Sequence, residues 1–261
     1  MKPLGVIGPL SRDAVAGAPP RIGGGPWHAG RALRALRHDA VVLAKCGEPD
    51  RRDFRRRLAA LGLPLSLAAD GETTAFSFSY DERGARTMHV DTVGEPFRRE
   101  DVAEALLRRV EWLHVASLLR GDFDGELLEW LAPGRSLLFD GQGLVRDRRT
   151  GPLVLDADFD RSLLRHLTVL KLAEEEAEAI GDLASLGVPE VVVTAGTAGS
   201  KVITRDGIEQ VPAHVVSADP TGAGDAFAVA YLGSRAGGHA PASAARRATA
   251  LVAALLTDGA R

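Results

Sequence analysis

The sequence predicts an α/β protein whose mostly parallel sheet is covered by helices on both faces. Short apolar runs typical of buried strands predict the sheet, at residues 4–8, 40–47, 112–117, 136–140, 168–172 and 190–196. Helical patterns, with apolar residues three and four positions apart, lie between most of these runs, at residues 29–37, 53–62, 100–110, 122–132 and 174–181. Strands that alternate with helices favour a parallel sheet, because each crossover helix packs on one face of it.

Two segments depart from this alternation and predict β-hairpins. Residues 73–90 and 200–211 each alternate with period two across a turn that contains glycine. In the first hairpin the phenylalanines at 76 and 78 alternate with serines, which predicts one covered and one wet face. The last part of the chain is helical, and no internal repeat, linker or shift in composition divides the sequence. We therefore expect residues 1–261 to form a single domain.

Charge and cysteine content narrow the class of protein. The net charge is −3, with 35 acidic against 32 basic side chains, so no nucleic-acid partner is expected. Cys46 is the only cysteine, which excludes an intrachain disulfide and favours a reducing compartment. The first apolar piece is too brief for a secretory signal, and no apolar run reaches the roughly 18 residues that span a bilayer. A cytoplasmic location without a membrane partner is the expectation.

Common nucleotide and metal motifs are missing from the sequence. The first apolar run is not followed by GxGxxG, and GTAGSK at 196–201 lacks the glycine spacing of a P-loop. The seven histidines are scattered, without the spacing of a zinc site. A dinucleotide-binding dehydrogenase and a P-loop kinase are therefore both disfavoured.

The turn DPTGAGD at 219–225 is the strongest candidate for chemistry. A helix that begins here would present unpaired backbone N–H groups, and glycines let a phosphate approach them closely. Asp225 would then accept a proton from an attacking hydroxyl. In the alternative interpretation, Asp219 caps the helix before Pro220, and Asp225 only complements the helix dipole. The turn taken alone leaves both interpretations open.

Five segments besides this turn are similar to motifs of the ribokinase-like carbohydrate kinases, the PfkB family. DPTGAGDAF resembles the C-terminal signature of that family, and the other segments follow the family order: VIGPLSRD (6–13), IGGGPWHAGRALRAL (22–36), TVLKLAEEEAEAIG (168–181), VVVTAGTAGSKV (191–202) and LLTDGAR (255–261). The resemblance implies a three-layer α/β/α fold with a mostly parallel central sheet. It also implies a β lid, which we expect to be reduced to the hairpin at 73–90, since only nine residues separate Asp13 from Gly23.

The resemblance further implies an ATP-dependent kinase that phosphorylates a hydroxyl of a small sugar or polyol, with Mg²⁺ as cofactor. The catalytic set would be the base Asp225 and an anion hole of Gly222, Ala223 and Gly224. The acceptor would be held by Asp13, Gly24, Gly25 and His28. The ATP site would contain Thr194, Gly196, Gly199 and Thr221. Glu176 would organise magnesium through water.

Two positions depart from the family pattern. His28 replaces the usual asparagine of the glycine motif, so acceptor preference is expected to differ. Ala173 replaces the asparagine that usually precedes the glutamate of the EEEAE segment, which alters the surroundings of Glu176. A monovalent cation stays open as a further cofactor.

The sequence leaves two other functions and several residue roles open. A nucleoside kinase of the same fold would need an aromatic platform, for which Trp27 and Phe76 are candidates, and a non-catalytic nucleotide or sugar sensor would explain the two lost asparagines. FDGQGLVR at 139–146 resembles a stretch of some sugar and inositol kinases of the family, so Gln142 and Arg146 either reach substrate or nucleotide or belong to a surface turn. Arg86 and His89 either contact the acceptor or lie on the surface. A homodimer through the 73–90 hairpin is a further hypothesis.

Overall fold

A computed structural model describes residues 2–15, 19–80, 86–214 and 221–259. Its strands are β1 (Leu4–Pro9), β2 (Ser11–Val15), β3 (Arg21–Gly23), β4 (Ala40–Cys46), β5 (Leu65–Ala69), β6 (Thr74–Tyr80), β7 (Arg86–Thr92), β8 (Trp112–Val115), β9 (Ser136–Asp140), β10 (Gly151–Pro152), β11 (Val169–Ala173), β12 (Glu190–Thr194), β13 (Ser200–Thr204) and β14 (Gly207–Val211). Its α-helices are α1 (Gly25–Ala35), α2 (Arg51–Ala59), α3 (Glu104–Leu107), α4 (Gly125–Leu131), α5 (Gln142–Val145), α6 (Glu174–Ile180), α7 (Ala223–Ala236) and α8 (Pro241–Gly259).

Nine strands form the main sheet, in the order β14-β13-β12-β11-β9-β8-β1-β4-β5. Seven of them, from β12 to β5, run parallel, and the hairpin β13–β14 is antiparallel at one edge. All six predicted strands and the hairpin at 200–211 are confirmed. The parallel strands are buried, which explains why their sequences are continuous apolar runs.

Helices cover both faces of this sheet. On one face, α1, α7 and α8 pack against side chains such as Val6 and Val192. On the other face, α4 packs against Ile7, Val115 and Phe139. Neighbours along a strand point to opposite faces, so Val6 and Ile7 belong to different cores. The three-layer α/β/α fold expected from the sequence is confirmed. No helix in the described ranges has the length and apolarity needed to cross a membrane.

A second sheet of five strands, ordered β10-β7-β6-β2-β3, stands beside the main one. The predicted hairpin forms its centre as β6 and β7, with the turn at 81–85 outside the described residues. The expectation that this hairpin is the whole small sheet is wrong, because residues 11–23 supply β2 and β3 and residues 151–152 supply β10. Strands of two or three residues carry too short an alternation for the sequence to reveal them.

The predicted helix at 100–110 is also largely wrong. Only residues 104–107 are α-helical, after a 3₁₀ turn at Arg99–Asp101. Val102 between them is extended, with φ −89° and ψ 113°, and its side chain is buried in the core. The extended backbone at Val102 therefore divides the predicted helix into a 3₁₀ turn and one short α-helix.

Candidate active site

The strand order reverses between β1 and β8, and this reversal positions the site. From β1 the chain runs outward to β4 and β5, then returns to place β8 on the opposite side of β1. Open α/β sheets bind ligands in the crevice outside the carboxyl ends of strands at such a point. Here Gly25 at the start of α1, Ala116 after β8 and Asp225 in the first turn of α7 converge.

The helix α7 begins directly after a glycine. Gly222 lies at its N-terminal boundary in the left-handed region, with φ 79°, and among the described residues no side chain caps the helix there. The first N–H groups of a helix have no intrahelical acceptor, so those of residues 223–225 are available to an anion. Asp219 and Pro220 lie outside the described residues, so the capping role considered for Asp219 stays a prediction.

Two glycines allow α1 to approach the end of β1. Gly24 has φ 89°, and a Cβ there would come within 2.6 Å of the Pro9 carbonyl oxygen. A Cβ on Gly25 would lie 2.2 Å from the Ala116 Cβ and 3.0 Å from the Asp225 Oδ1 atom. The glycine motif therefore brings the helix backbone next to the candidate base.

Asp13 and His28 lie on the same side of the site. Asp13 is in β2 and not at the end of the first strand as the sequence suggested, since the chain leaves β1 at Pro9. The Ser11 hydroxyl donates to Asp13 Oδ1 at 2.7 Å, and a Cβ on Gly23 would meet the other carboxylate oxygen at 2.0 Å. The imidazole of His28 contacts Gly222, where a Cβ would lie 2.4 Å from Nδ1.

Burial raises the pKa of Asp225 above its ordinary value. The negative charge of Asp140 raises it further, while His28, His114 and Lys171 act in the opposite direction. Desolvation disfavours the charged form of a carboxyl group, and a neighbouring like charge has the same effect. A general base works best when its pKa lies near the operating pH, so this environment suits proton abstraction.

Three further polar residues of the site were not predicted from the sequence: Lys171, Asp140 and His114. The Lys171 Nζ atom donates to Asp140 Oδ1 at 2.9 Å, and His114 Nε2 lies 2.6 Å from Asp140 Oδ2. All three side chains are buried in the sheet. His114 stands alone in an apolar strand, so no local pattern marks it. Two signals were available for the others: Lys171 falls inside LKLAEEE, and Asp140 begins the DGQGLVR stretch at 140–146, which is similar to a stretch in some sugar and inositol kinases of the family.

Asp140 and His114 come close to Asp225, but their arrangement does not favour a metal. One ligand atom from each of the three lies within 4.8 Å of the others. Both Asp140 oxygens already have partners, the ammonium group of Lys171 and the imidazole of His114. The ammonium group of Lys171 thus already supplies the positive charge that a metal ion would otherwise supply to these carboxylates.

Glu176 is held inside the protein. Its Oε2 atom accepts the Ala173 N–H at 2.9 Å, and Oε1 forms an ion pair with Arg146 at 3.2 Å. The carboxylate therefore caps the backbone N–H that precedes the first turn of α6. Glu174 and Glu175 on the same turn are exposed and line the neighbouring cavity, and carboxylate oxygens are ligands that Mg²⁺ accepts. The predicted indirect role of Glu176 stays a prediction.

A cavity of about 570 Å³ opens between the β12–β13 turn and the helices α7 and α8. Five predicted residues line it: Thr194, Gly196, Gly199, Ala223 and Gly224. Its far wall is apolar and includes Phe227, Val252 and Leu256. Thr221 is exposed and lies outside this lining. The structure thus brings the predicted nucleotide and anion residues together, beside the group around Asp225.

Other candidates are engaged elsewhere in the protein. Gln142 Nε2 donates to the Ser117 carbonyl oxygen at 2.6 Å, and Arg146 pairs with Glu176. His89 Nδ1 lies 2.9 Å from Asp91 Oδ1 on the exposed face of β7. The side chain of Arg86 lies outside the described residues. Gln142 and Arg146 therefore make contacts within the fold next to the site.

Comparison with solved structures shows the same fold. A pyrophosphate-dependent kinase of the ribokinase family, complexed with a pyrophosphate analogue and myo-inositol, has a TM-score of 0.83 and 24% identity, with 97% of this chain and 95% of that one covered. A nucleoside kinase of Burkholderia thailandensis bound to inosine gives 0.74 and 21%, covering 97% and 90%. Ribokinase of Thermotoga maritima gives 0.72 and 18%, covering 98% and 93%.

Comparison with curated protein sequences gives no match. The family model described as pfkB family carbohydrate kinase matches residues 21–259. That range includes the glycine motif of α1, the turn between β12 and β13 and the first turn of α7. Because the match spans most of the chain, the protein belongs to the pfkB family of carbohydrate kinases.

Proposed function

We propose that the protein is an ATP-dependent phosphotransferase that phosphorylates a hydroxyl group of a small sugar or polyol. One observation carries the proposal: the carboxylate of Asp225, in the first turn of α7, lies next to Gly25 of α1, while Ala223 and Gly224 of the same turn line the large cavity. An acceptor on the α1 side and a phosphoryl donor in the cavity would meet at this carboxylate.

The chain itself supplies the groups for an in-line transfer. Asp225 accepts the proton of the acceptor hydroxyl, for which its raised pKa is suited. The N–H groups of residues 223 and 224 stabilise the negative charge on the transferred group, as aligned donors at a helix start do. Asp13 and the backbone of Gly24 and Gly25 bind the other hydroxyl groups of the acceptor.

The aromatic residues favour a polyol over a nucleoside as acceptor. Phe76 is only 3% exposed and belongs to the core beneath the small sheet. Trp27 packs against the core around α2, and the Arg31 guanidinium lies 5.7 Å from its ring centre. Phe76 therefore offers no open face on which a base would stack, and Trp27 is half-buried against the core. The nucleoside-kinase alternative therefore rests on the structural likeness to such an enzyme.

The cavity favours ATP as the phosphoryl donor. A volume of about 570 Å³ lies in the range of nucleotide-sized ligand sites, and the apolar wall beyond the polar turn suits a base. Pyrophosphate is the second candidate, since a kinase of similar structure is described with a pyrophosphate analogue. A pyrophosphate donor would need the polar end of the cavity and not its apolar wall.

Mg²⁺ fits the carboxylates at the polar end of the cavity. Glu174 and Glu175 would hold it together with oxygen atoms of the phosphoryl donor, and Glu176 would orient its water ligands. Bound there, the ion would screen the charge of the phosphates.

The remaining sequence-based expectations extend this proposal. Residues 73–90 would act with β2, β3 and β10 as the lid of a single kinase domain over 1–261. A homodimer through this lid, a cytoplasmic location and a monovalent-cation requirement are further parts of the proposal, and sedimentation of a hairpin-trimmed variant tests the first of them.

A substrate panel tests the proposed function. Purified protein with Mg²⁺ is incubated with ATP or with pyrophosphate and with single pentoses, hexoses, inositols or nucleosides, and phosphorus NMR records new phosphate esters. We expect an ester from a sugar or polyol with ATP. Phosphate esters that form with pyrophosphate but not with ATP would show that pyrophosphate is the donor. Esters that form only from nucleosides would show that the acceptor is a nucleoside.

A non-catalytic sensor gives a different result. It would show a raised melting temperature with a ligand of the panel, yet no phosphate ester with any pair. That outcome would overturn the proposed activity while leaving the family assignment intact.

A further inference from the structure

We propose that Lys171 binds the terminal phosphoryl group of the phosphoryl donor, and that His114 and Asp140 hold its ammonium group in position. The proposal rests on the proposed kinase function. It assigns a phosphate-binding role to a residue that the sequence motifs left without one, and it applies to ATP and pyrophosphate alike, because both end in the same group.

Lys171 lies where a transferred phosphoryl group would be bound. Its side chain lines the cavity together with Ala223 and Gly224, although the residue is only 9% exposed. A Cβ placed on Gly224 would come 3.0 Å from Nζ. The ammonium group is therefore adjacent to the first turn of α7, so one anion could contact both the lysine and the helix N–H groups.

The hydrogen bonds of Lys171 are incomplete, in contrast to those of the other buried lysine. Lys45 Nζ lies 2.8 Å from the Pro96 carbonyl oxygen, 2.8 Å from Asp101 and 3.2 Å from Asp70. Lys171 Nζ donates to Asp140 alone among the described residues. An ammonium group has three N–H donors, and buried donors need acceptors. Two donors of Lys171 are left for a ligand in the cavity.

Asp140 and His114 fix the direction of those two donors. Asp140 is 1% exposed and receives Lys171 on one oxygen, while His114, which is fully buried, engages the other. A carboxylate held on both sides cannot rotate freely, so the ammonium group is directed to one place. His114 and Asp140 thus act as positioning residues that do not touch the donor.

Charge and residue type agree with phosphate binding. Burial alone would lower the pKa of Lys171, but Asp140, Glu176 and Asp225 raise it above the ordinary value, so the side chain stays protonated. The chain has only four lysines among its 32 basic residues, and arginine fills most other positions. A compact ammonium group acts as a point charge on phosphate, where the broad guanidinium group needs more room.

The test compares ligand binding by Lys171→Met and Lys45→Met. Both changes remove a buried lysine from the same sheet, but only the first faces the cavity. Binding of ATP, pyrophosphate and adenosine is measured with Mg²⁺ by calorimetry. We expect Lys171→Met to bind ATP and pyrophosphate about 10-fold to 100-fold more weakly, as for a lost charged hydrogen bond. Adenosine binding should be unchanged, and Lys45→Met should keep all three affinities.

A second pair of variants keeps the test decisive if Lys171→Met does not fold. Lys171→Met with Asp140→Asn removes both charges together, so that no buried carboxylate is left without its partner. For the positioning residues, Asp140→Asn is expected to raise KM for the donor severalfold with little change in KM for the acceptor. A purely structural role would change both KM values together or neither.

The outcomes separate this proposal from the proposed function. Wild-type turnover with unchanged phosphate affinity in both Lys171 variants would overturn the lysine assignment alone. Wild-type protein that binds neither ATP nor pyrophosphate would overturn both. Loss of phosphate affinity in the variants supports the assignment even if no acceptor of the panel is phosphorylated.

Discussion

Gly25 and Asp225 are in direct contact across the site: a Cβ on Gly25 would lie 3.0 Å from the Asp225 Oδ1 atom. The same Cβ would lie 2.2 Å from the Cβ of Ala116, which belongs to the segment after β8. The start of α1 is therefore packed so closely against Ala116 and Asp225 that no side chain fits at residue 25. The predictions below depend on this close packing.

Gly25→Ala is expected to reduce both stability and turnover. The added methyl group cannot fit against Ala116 without moving α1 or the strand end, and such overpacking costs about 1–3 kcal/mol. Unfolding in urea measures the stability. Gly125→Ala is the matched control, since a Cβ there meets only Leu163 at an ordinary 3.5 Å. Equal effects of the two changes would contradict the packing argument.

Asp225→Asn is expected to bind ATP normally and to lower kcat by roughly 10²-fold to 10⁴-fold. The amide keeps the shape of the side chain but cannot accept the hydroxyl proton. Steady-state kinetics on the acceptor found in the panel gives kcat, and calorimetry gives the affinity for ATP. Turnover close to the wild-type rate would remove Asp225 from the mechanism.

The raised pKa of Asp225 predicts opposite effects on activity and stability. Activity needs the deprotonated carboxylate, so kcat/KM should fall at acidic pH with a midpoint above 3.8, the ordinary pKa of aspartate. A carboxyl group whose pKa is higher in the folded state lowers the free energy of unfolding progressively as pH rises from its unfolded value through its folded value. At pH 7 the inactive Asp225→Asn should therefore be more stable than wild type.

Urea unfolding of wild type and Asp225→Asn at pH 7 and at pH 4 checks this sign. The stability difference should be larger at the higher pH. A variant that is less stable than wild type at pH 7 would mean that attraction by Lys171 and the two histidines outweighs burial, and the pKa direction would be reversed.

Glu176→Ala is expected to lower the free energy of unfolding by about 3 kcal/mol, because it leaves the largely buried Arg146 guanidinium without its partner. The N–H of Ala173 loses its acceptor in the same change. Glu174→Ala is the control, as that side chain is exposed on the same turn. If Glu176→Ala instead alters only the Mg²⁺ dependence of turnover, its role is at the metal and not in the fold.

The main sheet could be predicted from the sequence because its strands are buried on both faces. Runs such as AVVLAKC and EVVVT are mainly apolar, with single polar residues such as Lys45 and Glu190, so their length and their spacing by helices suffice. The smaller sheet could not be predicted in full. β3 has three residues and β10 has two, and their pairing depends on β2 and β7 from distant parts of the chain.

The site was predicted where a motif is local and missed where it is not. Residues 222–225 are consecutive in one turn, and Gly24 and Gly25 are consecutive at the start of one helix. Each group can therefore be recognised as a motif in the sequence. Lys171, Asp140 and His114 lie in three strands and meet only because β8, β9 and β11 are neighbours in the sheet. A single polar residue in a buried strand looks the same in sequence whether it binds a ligand or a core partner.

The smaller sheet joins the main fold through very short connections at one end. Leu10 alone separates β1 from β2, and Gly24 alone separates β3 from α1. A Cβ on Gly24 would come within 2.9 Å of the Leu10 Cα atom, so the two connections touch. A rotation of the β2–β3 pair against the main sheet would change the backbone dihedral angles of these two residues. Leu10 and Gly24 therefore form one joint between the sheets, and Gly24 directly precedes the helix that contacts Asp225.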